Sequence, residues 1–229
     1  MSEIVKMDSI TNKPKRDIAS DIGKILYDMI DEETAGHLCF SADVQDKTVL
    51  LNVLEKLCVS STLPIRFLKI HPEIIKGWSH DVLEAVWLWC RHYRSDIDKP
   101  VLIWADMKFC DVPHIMCRQL RSVYWADIVT IMSVVATPEI LEELNRELQE
   151  LDTYAFIVPT LHTDGEKLWQ DPDTEKLNDI TTSKYSNIVG SVGLQLPGLL
   201  YIKAGVSDGE ELKDVDVVVR GRSMLSELL

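Results

Sequence analysis

An ionisable hexapeptide, Asp106-Met107-Lys108-Phe109-Cys110-Asp111, stands at the end of the apolar run Val101-Leu102-Ile103-Trp104, one alanine beyond it. Asp106 and Lys108 stand two residues apart, so on an extended chain their side chains leave the backbone on the same side. A lysine held against carboxylates stays protonated and can serve as a charged acid. Alone, the hexapeptide also fits a solvated loop. The element that carries it decides between the two. A run such as Val101 to Trp104 reads as a strand buried on both faces. Charges at the C-terminal end of such a strand lie where parallel α/β proteins keep their ligand crevice.

Elements of the required kind recur along the chain. Ile18, Ile22, Ile25, Leu26 and Met29 have helical spacing and predict a leading helix over residues 18–30, after a polar arm at 1–17. Strands are predicted at 38–42, 65–70, 100–107, 127–132, 155–158, 187–190, 199–202 and 214–219. Between them, Val49, Leu50, Val53, Leu54 and Leu57 mark one amphipathic helix. Ser79 caps a second, with Val82, Ala85, Val86, Trp89 and Tyr93 on one face. A third runs through Ile115 and Leu120. Thr137-Pro138 opens a fourth, which buries Ile140, Leu141, Leu144, Leu148 and Leu151. The polar segment 161–184 is read as a helix at 166–170 plus loop, and a terminal helix starts at Ser223. Eight strands separated by helical patterns predict a closed (β/α)8 TIM barrel, one domain over residues 18–229. An open doubly wound sheet is the runner-up, but no G-x-G-x-x-G follows the first strand.

In a barrel the strand ends converge on one face. The first strand ends in Asp43 and the second in Lys69. The third carries Asp106, Lys108 and Asp111, and the eighth runs into Gly221-Arg222. A glycine followed by arginine after the last strand falls in the phosphate region of such barrels, where backbone N–H groups and a guanidinium fork bind anions. Singly, Lys69 reads as a snorkelling edge residue and Arg222 as a surface arginine. Grouped with Asp106 and Lys108, they read as a site. Other features read as structural. The six histidines lack metal-ligand spacing and are assigned to core or surface. No G-x-S-x-G or Cys-His arrangement offers a covalent nucleophile. Trp78, Trp87 and Trp89 read as packing, and the acidic run 139–150 as a solvated helix face.

Composition sets the remaining bounds. The chain has 229 residues, 46% hydrophobic and 27% charged, which suits a globular domain with a sizeable core. A formal net charge of −13 argues against nucleic acid or an anionic membrane as partner, but leaves room for a phosphorylated substrate in a locally positive pocket. The five cysteines show no C-x-x-C pair, and Cys39, Cys58 and Cys90 read as reduced core residues. With no signal-peptide core and no apolar stretch of membrane-spanning length, the expected location is the cytoplasm.

The ordered motifs resemble those of the orotidine 5′-phosphate decarboxylase family, and look closer to its eukaryotic branch. Leu38-Cys39-Phe40-Ser41-Ala42-Asp43-Val44 is similar to the family's first strand, and Leu68-Lys69-Ile70-His71 to its second. Asp106-x-Lys108-x-x-Asp111 with Val112-Pro113 matches its signature. Trp125-Ala126-Asp127-Ile128 matches the entry to the fourth strand, and Val218-Val219-Arg220-Gly221-Arg222-Ser223 the last-strand phosphate motif. The resemblance implies a cofactor-independent decarboxylation of orotidine 5′-phosphate to UMP in a homodimer. It implies a catalytic network of Lys69, Asp106, Lys108 and Asp111, the last serving the neighbouring subunit's site, with Lys108 as proton donor. Ser41 and Thr160 match pyrimidine contacts, Asp43 and Lys69 ribose contacts, and Gly221 with Arg222 phosphate contacts. No metal is implied.

Two differences bear on substrate. Related sugar-phosphate decarboxylases and aldolases share Asp-x-Lys-x-x-Asp but carry an acidic residue where this chain has Lys69, which favours orotidylate. In the other direction, Lys203-Ala204-Gly205-Val206 stands where the family has Thr-Pro-Gly-Val, and only a short link, residues 207–214, follows in place of a phosphate-gripping loop. Ile115 replaces a family threonine. A barrel acting on another phosphorylated sugar or nucleotide, and a non-catalytic binding or scaffold barrel, therefore stay open as alternatives.

Overall fold

A computed structural model describes residues 26, 37–60, 65–92, 101–163, 166–178, 180, 184–206 and 215–228. The predicted arm and all of the leading helix but one residue lie outside the described residues. The exception, Leu26, is helical and fully buried among Cys39, Phe67 and Trp104 in the barrel interior.

Eight strands close into a parallel barrel. In chain order these are β1 (His37–Ser41), β2 (Ile65–Ile70), β3 (Leu102–Phe109), β4 (Ile128–Met132), β5 (Tyr154–Val158), β8 (Ile188–Val192), β9 (Leu200–Ala204) and β10 (Val217–Arg220). β10 pairs back onto β1 with His37 opposite Val217. The eight predicted strands correspond to these eight, with ends shifted by a few residues. Two further strands, β6 (Thr160–Thr163) and β7 (Glu166–Gln170), form an antiparallel pair outside the barrel. Residues 166–170 are therefore a strand and not the expected helix. Pairing with β6, Leu161 opposite Trp169, satisfies their backbone as a strand. The helix of this segment is the short α5 (Thr174–Asn178), after Pro172.

The strands alternate between two cores. Cys39, Phe67, Leu102, Trp104, Ile128, Phe156, Leu200, Ile202, Val217 and Val219 face inward and fill the barrel. Leu38, Phe40, Leu68, Ile103, Val129, Ala155 and Ile188 face the surrounding helices. Gly190 is required by this filling: a Cβ there would lie 2.5 Å from Phe156 and 2.7 Å from Ile202.

The helices α1 (Lys47–Ser60), α2 (His80–His92), α3 (Pro113–Ser122) and α4 (Pro138–Glu150) follow β1 to β4 in turn. The caps of α2 and α4 are those read from the sequence: Ser79 Oγ accepts from Val82 N, and Thr137 Oγ1 from Ile140 N with Pro138 in the first turn. Trp89 packs between α2 and α1, its indole donating to Leu54 O at 2.7 Å. Two expectations are corrected. Glu147 is not solvated but buried, and Arg121 of α3 grips both its oxygens at 2.6 and 2.7 Å. Cys58 is exposed, because it lies off the apolar face of α1; Cys39 and Cys90 are buried as expected. A terminal helix, α6 (Arg222–Leu228), packs near α1. No helix among the described residues is long and apolar enough to cross a membrane.

Candidate active site

β3 extends to Phe109, so Asp106 and Lys108 belong to its last turn of pleat rather than to a loop beyond it. The extended path is broken at Lys108, whose φ is 51°, in the left-handed region that L-residues rarely adopt. The pairing of β3 with β4 shifts register between Ala105 and Phe109, as a bulge there requires. Thr130 of β4 fills the gap. Its hydroxyl accepts from Lys108 N at 2.9 Å and donates to Asp106 Oδ1 at 2.8 Å. Thr130 thus ties the strained backbone and the carboxylate to one fully buried side chain.

The other carboxylate oxygen gathers charge. Asp106 Oδ2 accepts from Lys108 Nζ at 2.8 Å and from Lys69 Nζ at 3.1 Å, and His71 Nε2 lies 3.3 Å away. Lys69 comes from β2, next to β3 in the barrel, and also donates to Asp43 Oδ1 at 3.2 Å, just beyond β1. Ser41 Oγ donates to the same Asp43 oxygen at 2.8 Å. Burial would lift the Asp106 carboxyl, but the ammonium groups of Lys69 and Lys108 outweigh it and hold the group far below the usual carboxylate range. Burial would likewise lower Lys69, yet the carboxylates of Asp106 and Asp43 prevail and raise it. Both groups are ionised at neutral pH. The two lysines differ in access: the side chain of Lys108 is 36% exposed and that of Lys69 9%.

Of the residues singled out in the sequence, Ser41, Asp43, Lys69, Asp106 and Lys108 come together in this one network. Gly221 lies against it at the end of β10, where a Cβ would stand 3.1 Å from Ser41 Cβ and 3.4 Å from Asp43 Oδ2. Arg222 opens α6 beside it and is exposed. Thr160 is buried beyond the C-terminal end of β5, and its hydroxyl has no hydrogen-bond partner among the described residues. Asp111 stands apart. It is exposed, and its carboxylate accepts only from the adjacent Val112 N among the hydrogen bonds described. Among the described residues no group of three or more His, Cys, Asp and Glu is placed to hold a metal ion.

A sequence model of the Orotidine 5′-phosphate decarboxylase / HUMPS family matches residues 36–221. The chain belongs to this family. No curated protein sequence matches it. Among solved structures, the chain is similar to an orotidine 5′-monophosphate decarboxylase from Methanocaldococcus jannaschii bound to the inhibitor BMP, with 16% identity, a TM-score of 0.63, and coverage of 84% of this chain and 92% of that one. It is also similar to orotidine 5′-phosphate decarboxylase from Pyrococcus horikoshii, at 16% identity and TM-score 0.59, covering 83% and 96%. For the Plasmodium berghei enzyme the identity is 10% and the TM-score 0.54, covering 91% and 92%. At these identities the likeness is one of fold.

Three further residues of this family member touch the network: Thr130, His71 and Glu73. The histidine is assigned to core or surface by its lack of metal-ligand spacing, which is the wrong test for a ring nitrogen 3.0 Å from a lysine ammonium. Its signal lay in Lys69-x-His71-x-Glu73, a period of two at a strand end. Thr130 was legible only as a polar residue on an otherwise apolar strand.

Proposed function

We propose that the chain decarboxylates orotidine 5′-phosphate to UMP, with Lys108 as the proton donor. The observation that carries this reading is the shared contact of Lys69 and Lys108 with Asp106, at 3.1 and 2.8 Å, in a member of this family. The bond from the pyrimidine ring to its carboxylate breaks, carbon dioxide leaves, and the electron pair stays on the ring carbon. Lys108 Nζ–H gives that carbon its proton, and the neutral amine is recharged from water. The reaction is redox-neutral and balances with substrate, Lys108 and water. Lys108 suits the donor's role because it is the more exposed lysine. Lys69, nearly enclosed, suits a fixed charge. Asp106 would face the departing carboxylate, where its repulsion is relieved as neutral carbon dioxide forms, while the ammonium groups stabilise the carbanion.

Binding follows the same map. Thr160 offers an unused buried hydroxyl for the pyrimidine, with Ser41 opposite. Asp43 and Lys69 take the ribose. Gly221 and Arg222 take the phosphate, at a turn where only a glycine fits this closely against Ser41, since a Cβ would stand 3.1 Å from Ser41 Cβ. Asp111 is assigned to the neighbouring subunit's site in a homodimer. Support comes from Ile74, Val112 and Val134, which follow three adjacent strands, as Asp111 follows one of them, and leave apolar side chains 45%, 50% and 53% exposed at that end of the barrel. A second reading, another phosphorylated sugar or nucleotide as substrate, draws on one feature, the short 207–214 link where a phosphate-gripping loop is expected.

The test is the loss of orotidine 5′-phosphate absorbance with purified protein and no added metal, beside a Lys108→Ala control. Turnover that disappears in the control supports both substrate and donor. Turnover that survives in Lys108→Ala sinks the donor assignment, and a wild type that is folded but inert sinks the substrate.

A further inference from the structure

The ammonium of Lys69 has three N–H donors and no acceptor. Two go to Asp106 Oδ2 and Asp43 Oδ1, and the third meets His71 Nε2 at 3.0 Å. Two nitrogens at that distance need a lone pair between them, and an ammonium has none. The lone pair must be on His71 Nε2, so the ring proton sits on Nδ1. That atom faces Glu73 Oε1 at 3.0 Å, an acceptor with no proton to give.

We infer that Glu73 is a positioning residue, which fixes His71 as its Nδ1–H tautomer so that Nε2 accepts the third hydrogen of Lys69. The inference rests on the functional reading above only in the claim that Lys69 serves the reaction. The competing arrangement is an imidazolium whose Nε2–H points to Asp106 Oδ2 at 3.3 Å. It sets a cation 3.0 Å from the Lys69 ammonium and leaves one Lys69 donor unmatched in a nearly enclosed site. Asp106 has little need of it, since Lys69, Lys108 and Thr130 already donate to its two oxygens. The groups facing the ring from packed elements are Lys69 on its own strand, Asp43 at 3.7 Å after β1, Asp106 on β3, and Glu73 on the turn that follows β2. Among the described residues, only Glu73 reaches Nδ1. Its side chain is 43% exposed, so it is replaceable without opening the core.

The experiment reads the tautomer directly. In protein labelled with 15N-histidine, two-bond 15N–1H correlation spectra distinguish Nδ1–H, Nε2–H and imidazolium, and a His71→Gln variant identifies the signals of His71. The expected result at neutral pH, without substrate, is Nδ1–H. In Glu73→Ala the signals move toward Nε2–H, and kcat/KM falls roughly tenfold or more, the worth of one hydrogen bond to a charged group. In Glu73→Gln, whose amide oxygen can still accept, the tautomer and most of the rate return. An Nε2–H or imidazolium form in the wild type overturns the inference, as does an unchanged tautomer in folded Glu73→Ala. If orotidine 5′-phosphate is not turned over while His71 shows Nδ1–H, the substrate reading fails and the positioning claim stands.

Discussion

Lys108 Nζ reaches Asp106 Oδ2 at 2.8 Å across a backbone that turns left-handed between them, with φ at Lys108 of 51°. On a regular strand the pair would share a face by periodicity alone. Here the bulge supplies the geometry, and its strain is held by Thr130. A side chain with a Cβ in this region costs about 1–2 kcal/mol, a penalty glycine avoids. Lys108→Gly and Lys108→Ala should both lose turnover, yet the glycine variant should be the more stable by on the order of 1 kcal/mol. Urea midpoints of the two variants measure it. An alanine variant as stable as the glycine one would mean that Lys108 stores no backbone strain.

Thr130→Val keeps shape and removes the hydroxyl. Lys108 N–H and Asp106 Oδ1 each lose a partner in a buried setting. The expected loss of stability is about 1–3 kcal/mol, with a fall in kcat larger than any rise in KM, because the proton donor and its counter-ion are displaced together. Thr130→Ser should restore most of both. Denaturant unfolding and steady-state kinetics on the three proteins decide it.

How much of this was readable beforehand differs by layer. The barrel was legible because the strands are apolar runs bounded by turn residues and two of the early helices carry readable caps, at Ser79 and Thr137-Pro138. Charged groups at strand ends were legible for the same reason, since topology alone brings Asp43, Lys69 and Asp106 to one face. The β6–β7 pair was not, because a five-residue run such as Glu166 to Gln170 has no period long enough to favour strand over helix. Nor was Cys58, where one residue of helical phase separates burial from exposure. The roles of His71 and Thr130 depend on distances of about 3 Å between side chains from different strands, which residue spacing does not encode.

The depressed Asp106 carboxyl predicts how stability responds to acid. A group whose folded value lies below its unfolded value stabilises the fold fully above the unfolded value, about pH 4, and that contribution disappears as pH falls through the folded value. Lys69, raised in the fold, behaves oppositely. Its contribution is complete below about pH 10 and fades as pH rises through its folded value. Asp106→Asn should therefore be markedly less stable than wild type near neutrality, by about 3–5 kcal/mol for a broken buried pair, with the gap narrowing below about pH 4. Unfolding free energies of both proteins across the acid range check this. A gap that stays constant with pH would show that the carboxylate is not held ionised by its neighbours.

Asp111 gives the sharpest test of a shared site. It lies three residues from Lys108, is exposed, and takes no part in the network of its own chain. If it completes the site of a neighbouring copy, Lys108→Ala and Asp111→Ala subunits are each inactive for different reasons. A mixed dimer then holds one site with both residues and one with neither. Refolding equal amounts together should make half of the dimers mixed and return about a quarter of the wild-type rate, all of it from complete sites. The measurement is turnover of the co-refolded mixture against each variant refolded alone. A mixture no more active than its components, in dimers of normal size, would place Asp111 outside any shared site and leave the Lys69, Asp106 and Lys108 cluster to act within one chain.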